Sequence, residues 1–217
     1  MARPTELALA ESMAARLCHD LVGSVGAVAN GVELLADSRS RPDPEVVDLV
    51  AQSARQASRR LQAFRVAYGT GNALPGSGMF AEVRRLANAL CEGGRVTLDW
   101  ATPDAALEQV ATKDAARLLL NTVLMAIDTL PRGGTVRVVT TSADGRLRFA
   151  IEATGNHIGL PEEVRTMLTG DVETLELTPR NVVAYLARRS AQELGGSFAF
   201  TAGTQGCSFA MDVPAAT

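Results

Sequence analysis

The chain has 217 residues, 47% hydrophobic and 21% charged, the proportions of globular material long enough for one large domain or two small ones. A formal net charge of −3 and an aromatic content of 4% exclude the basic, aromatic-studded surface of a nucleic-acid binder. The three cysteines, Cys18, Cys91 and Cys207, are odd in number and widely spaced, so they suggest neither a disulfide framework nor a metal site, and fit a reducing cytoplasm.

Residues Met1 to Leu17 carry Glu6 and Glu11 inside their apolar pattern and do not read as a signal peptide. Thr5 then caps a helix to Asp37, with Leu17, Leu21, Val25, Val28, Val32 and Leu35 as one stripe. Asp37–Pro42 reads as a turn. Asp43, Pro44 and Glu45 supply a cap, a first-turn proline and a first-turn acid, and start a second helix. Its stripe is Val46, Val50, Ala54, Ala57, Leu61, Phe64 and Tyr68. Two such helices form an antiparallel hairpin that cannot bury both stripes alone, so pairing with a second copy is expected, giving a dimeric four-helix bundle.

Gly69–Gly78 is glycine-rich and reads as a linker. It separates a helical domain, 1–70, from a second domain, 79–217. That second domain is predicted to contain helices at Met79–Cys91, Lys113–Leu130 and Pro179–Leu194, the last capped by Thr178. Strands are expected at Arg95–Ala101, Thr135–Thr141, Arg146–Ala153, Ser197–Thr201 and Ser208–Val213. The fold class is therefore α + α/β, a hairpin followed by an α/β sandwich with a largely antiparallel sheet. The most apolar stretch, Leu118–Leu130, is interrupted by Asn121 and Asp128 and is too short to span a bilayer, so a soluble protein without a membrane partner is expected.

Chemistry centres on His19, one of only two histidines. It lies beside the apolar stripe, and its helical neighbours Ser12, Arg16, Gly23 and Asn30 are small or polar and expected to be accessible. Gly23 and Gly26 each cost a helix roughly 1 kcal/mol relative to alanine, which suggests that another backbone or a partner comes close there. An imidazole with an ordinary pKa of about 6.5 offers a neutral, nucleophilic nitrogen. Asp20 either hydrogen-bonds one ring nitrogen and frees the other, or is a solvated helix charge. His19 itself reads as the phosphoryl acceptor or as a surface histidine without a role. Cys18 is adjacent, but helical neighbours project about 100° apart, so it is expected to be a buried small hydrophobe. Arg55, Arg59, Arg60 and Arg65 form either a solvated face or an attractor for an acidic partner.

The segment LCHDLVGSVGAVANGVELL resembles the phosphoacceptor helix of two-component sensor kinases, with Ser24 where those kinases usually carry a proline. The second domain resembles their ATP-binding fold through its closing segment, LGGSFAFTAGTQGCSFAMDVP. Its nucleotide motifs are degenerate. Met125 stands at the magnesium asparagine, with Asn121 one turn earlier. Ala153 stands at the adenine aspartate and His157 at a motif glycine, where it is expected to fill vacated space. LELTPRNVVAYL replaces the glycine-rich lid.

Taken together these features resemble the ChpT-type histidine phosphotransferases of bacterial cell-cycle phosphorelays. The resemblance implies that His19, with Asp20 beside it, accepts a phosphoryl group from the receiver aspartate of a hybrid kinase and passes it to a response regulator. Ser12, Arg16, Gly23 and Asn30 would form the docking surface. It further implies a homodimer with no cofactor or metal of its own, the Mg²⁺ being supplied by the receiver. An ATP-dependent histidine kinase and a non-catalytic adaptor are the rival readings.

Overall fold

The computed structural model describes residues 4–37, 43–69, 73–171 and 175–216. Most of the expected turn at Asp37–Pro42, and residues 70–72 of the expected linker, lie outside these. The helical hairpin consists of α1 (Glu6–Asp37) and α2 (Pro44–Ala67). Each start is capped as the sequence predicts: the Ala8 amide donates to Thr5 Oγ1 at 3.1 Å, and the Glu45 amide to the Asp43 carboxylate at 2.9 Å.

The rest of the chain runs α3 (Met79–Cys91), β1 (Val96–Trp100), α4 (Ala105–Gln109), α5 (Lys113–Asp128), β2 (Gly134–Ala143), β3 (Arg146–Thr154), α6 (Glu162–Thr169), α7 (Val182–Glu193), β4 (Ser197–Ala202) and β5 (Gly206–Pro214). The sheet order is β1-β2-β3-β5-β4, with β1 and β2 parallel and the other pairs antiparallel. Alternation along β3 buries Leu147, Phe149, Ile151 and Ala153 and exposes Arg148, Ala150, Glu152 and Thr154, with Arg146 half-buried at the strand's start, as a sheet covered on one face requires. Helix α5 is buried from Ala115 to Ala126 apart from Arg117, because it lies between that sheet face and the other helices.

Two short helices, α4 and α6, were not expected. Asp104 caps α4 through the Leu107 amide at 2.7 Å, and Pro161 followed by Glu162 and Glu163 opens α6. The last helix starts three residues later than predicted. Thr178 does not cap it; the Thr178 amide donates to Asn181 Oδ1 at 2.8 Å and the Asn181 amide returns to Thr178 Oγ1 at 3.3 Å, closing a turn around Pro179.

The hairpin is built into the sandwich. Ala63, Phe64, Val66 and Ala67 at the end of α2 share one continuous buried cluster with α5 and the sheet. Phe64 was expected to need a second chain to cover it, but at 7% exposure it is already covered here, with the Tyr68 ring 5.7 Å away. Tyr68 donates its hydroxyl proton to Asn121 Oδ1 at 3.0 Å, and Asn121 Nδ2 donates to the Val183 carbonyl at 3.3 Å, joining α2, α5 and α7.

Within the hairpin the close approach falls at Gly31, not at Gly23 or Gly26. A Cβ on Gly31 would lie 2.3 Å from Val50 Cγ2, whereas nothing lies within 4 Å of one on Gly23 or Gly26. Gly31→Ala is therefore expected to lower stability. The helix gains about 1 kcal/mol in propensity, but overpacking against a stiff valine costs about 1–3 kcal/mol. Denaturant melts check this, and a more stable variant would contradict the packing.

Candidate functional site

Helical phase puts Ser12 and His19, two turns apart on α1, within about 20° of each other, with Arg16 about 60° and Asp20 about 100° from His19. Burial, not phase, separates them. Ser12 is buried at 8% exposure, which removes it from the expected docking surface, and the Arg16 and Asp20 side chains are only 21% and 10% exposed. The His19 side chain is 83% exposed, and Gly23 and Asn30 are exposed as expected. Cys18 is exposed too, contrary to its expected burial, because it lies on the outer side of α1.

The two inward charges are held in a chain of ion pairs. Arg16 Nε donates to Asp20 Oδ2 at 2.7 Å, and Arg16 Nη2 to Asp128 Oδ2 at 2.7 Å. Arg60 Nη2 on α2 donates to the other Asp128 oxygen at 3.1 Å. The free oxygen of Asp20, Oδ1, lies 3.3 Å from His19 Nδ1. Asp20 is thus the ring's hydrogen-bonding neighbour and not a solvated helix charge. Burial works against the charge on Arg16, but its bond to Asp20 and its proximity to Asp128 outweigh this and raise its pKa. Burial likewise pushes the Asp128 carboxyl up against the pull of Arg60 and Arg16. Two guanidinium partners and a side chain still 38% exposed favour its anionic form.

Arg59, one of the arginines read as either a solvated face or an attractor for an acidic partner, is engaged within the chain. It bonds the Glu92 carbonyl at 3.1 Å and pairs with the Glu92 carboxylate, so Arg59 and Arg60 both tie α2 to the sandwich. A shallow hollow of about 310 Å³ lies beside His19, floored by Asp20, Gly23, Ser24, Ser53, Gln56 and Arg60.

Where the kinase resemblance places nucleotide, a cavity of about 330 Å³ opens between α5, α6 and α7. Its walls include Met125, Leu160, Val164, Leu168, Val183 and Phe209. A thioether and aliphatic side chains are poor partners for Mg²⁺, and the charged residues that also line the cavity, Arg16, Asp20, Asp128 and Arg180, are engaged in ion pairs. Asn121, one turn before Met125, does not line this cavity and has both ends of its amide engaged. Ala153 is fully buried in the sheet, and His157 is exposed, so it does not fill the vacated space. The lid position is closed by Glu163, which accepts from Thr178 Oγ1 at 2.8 Å and from Arg180 at 3.2 Å. Among the described residues no three His, Cys, Asp or Glu side chains gather as metal donors, and no helix is long and apolar enough to cross a membrane.

Residues 80–206 match the family model described as the histidine phosphotransferase C-terminal domain. The chain belongs to the histidine phosphotransferase family. The protein phosphotransferase ChpT of Brucella abortus (strain 2308) is 28% identical to it over 189 residues, 87% of this chain and 88% of that protein. A solved structure of a bacterial phosphotransferase matches with a TM-score of 0.79 at 26% identity, covering 96% of this chain and 97% of that one. These relationships give the protein a phosphotransfer role in a phosphorelay. The family-model match lies wholly within the sandwich, whereas His19 stands on α1.

Proposed function

We propose that this histidine phosphotransferase takes a phosphoryl group from a receiver-domain aspartate onto His19 and delivers it to the aspartate of a response regulator. The observation that carries the reading is the disposition of His19: an imidazole 83% exposed, with Nδ1 facing Asp20 and Nε2 left for an incoming phosphorus. The Nε2 lone pair forms the N–P bond as the P–O bond to the receiver aspartate breaks, and the carboxylate leaves. The ring gains positive charge in that step, which Asp20 offsets, and Nδ1 keeps its proton. Delivery is the reverse reaction toward a second receiver.

The receivers bring the Mg²⁺ and most of the electrostatic stabilisation, and this protein contributes position. Its docking surface comprises His19, Gly23 and Asn30, exposed on α1, around the hollow that Ser24 and Gln56 help to floor. It acts in the cytoplasm as a homodimer through the hairpin.

Phosphotransfer profiling of the purified protein against a panel of phosphorylated receivers tests the reading. The expected product is an acid-labile, base-stable phosphoprotein, and no labelling by any receiver would leave only a non-catalytic adaptor. ATP is expected to leave no mark. The cavity lined by Met125 and Phe209 offers no carboxylate for adenine other than the ion-paired Asp20 and Asp128, so calorimetry with ATP and Mg²⁺ should detect no saturable binding at micromolar concentration. A micromolar isotherm would revive the kinase reading.

A further inference from the structure

We propose that Arg16 and Asp128 are positioning residues for phosphotransfer: Asp128, on the sandwich, holds Arg16, and Arg16 holds Asp20 against the His19 ring. The proposal rests on His19 being the phosphoacceptor. It assigns a task in the reaction to the domain whose nucleotide motifs are degenerate.

Adjacent residues on a helix do not face one another. Contact between His19 Nδ1 and Asp20 Oδ1 therefore persists only while the Asp20 carboxylate is held across the helix surface. Arg16 holds it by taking Oδ2 and leaving Oδ1 for the ring. A surface arginine would not stay in one rotamer for that purpose, since its long side chain has many. Here its second donor is fixed by Asp128, whose own second oxygen is fixed by Arg60 of α2. One carboxylate on α5 thus meets guanidiniums from both hairpin helices, and the order of bonds runs from the sandwich to the reacting ring.

The chemical consequence concerns the tautomer. An acceptor at Nδ1 favours the ring form that carries its proton there and presents a lone pair at Nε2. Without that acceptor the proton is free to move to Nε2, where it blocks attack. The same carboxylate offsets the positive charge that the ring acquires as the N–P bond forms. A staple that only joined the hairpin to the sandwich would influence stability and leave the ring nitrogens as they are.

The test uses the full-length protein and the receiver that transfers fastest in the panel above. Asp128→Asn keeps the size of the side chain and removes its charge. Its single-turnover transfer rate should fall by about tenfold or more, the usual scale for loss of an orienting hydrogen-bond partner. Nitrogen-15 NMR of the His19 ring should show the population moving away from the Nδ1–H form. Asp128→Glu, which restores a carboxylate, should recover most of the rate and the wild-type ring signature. An Asp128→Asn protein with the wild-type rate and ring signature overturns the proposal, and so does a slow variant with unchanged ring nitrogens, which marks a structural staple. His19→Ala in the same assay separates the two levels. Transfer by that variant would overturn the phosphoacceptor reading and this proposal together, whereas a dead His19→Ala beside a wild-type-like Asp128→Asn overturns the positioning role alone.

Discussion

His19→Ala should abolish both receipt and delivery of the phosphoryl group, a fall of about three orders of magnitude or more, as removal of a covalent nucleophile does elsewhere. The substitution removes the nucleophile and little else. The side chain is 83% exposed and approaches Asp20 at 3.3 Å, so the fold should lose no more than about 0.5 kcal/mol. An unchanged melting temperature together with lost transfer would locate the effect in chemistry. His157 supplies the control. It is exposed on the loop after β3 and does not line the hollow beside His19, so His157→Ala should relay at close to the wild-type rate. Each variant is incubated with a phosphorylated receiver and a second, unphosphorylated one, and label is followed through both steps. Undiminished relay by His19→Ala would sink the functional reading.

Leu61→Glu should convert a dimer into a folded monomer. Among the described residues, nine large hydrophobic side chains are strongly exposed, and eight of them lie on α1 and α2. Leu61 at 57%, Val25 at 54% and Val32 at 52% belong to the stripes that predicted a partner, and this chain leaves them uncovered. Because Leu61 is exposed, a charge there does not enter this chain's own core. In a two-fold symmetric bundle it would be buried twice, at about 2 kcal/mol or more each time, which weakens association by about a thousandfold. Scattering mass across a concentration series reads the result. Wild-type protein that remains a well-folded monomer at high concentration would rule out the bundle. Leu21 is the weaker choice, since it is half-buried against the chain's own core and its substitution would confuse dissociation with unfolding.

Several features of this protein were legible without coordinates because they depend on neighbours in sequence. The caps Thr5 and Asp43, the helical spacing of the hairpin stripes and the two-residue alternation of β3 are local patterns, and the elements formed where these patterns lie. So was the exposure of His19, flanked as it is by small residues at helical spacing. The starts of α4 and α6 were equally local, written in Asp104 and in Pro161-Glu162-Glu163, but these helices of five and eight residues are too short to show a period.

The tertiary structure decided which face of α1 turns inward. Periodicity groups Ser12 and Arg16 with His19 but does not say which of them meets solvent, and burial against the rest of the chain took Ser12 off the surface while His19 stayed exposed. It also decided which glycine is needed for close packing, because the clash at Gly31 depends on Val50 from the other helix. Asp128 read only as an interruption of an apolar segment. Its two arginine partners lie 112 and 68 residues away in the chain, and such a carboxylate acquires its role only when folding brings α1, α2 and α5 together.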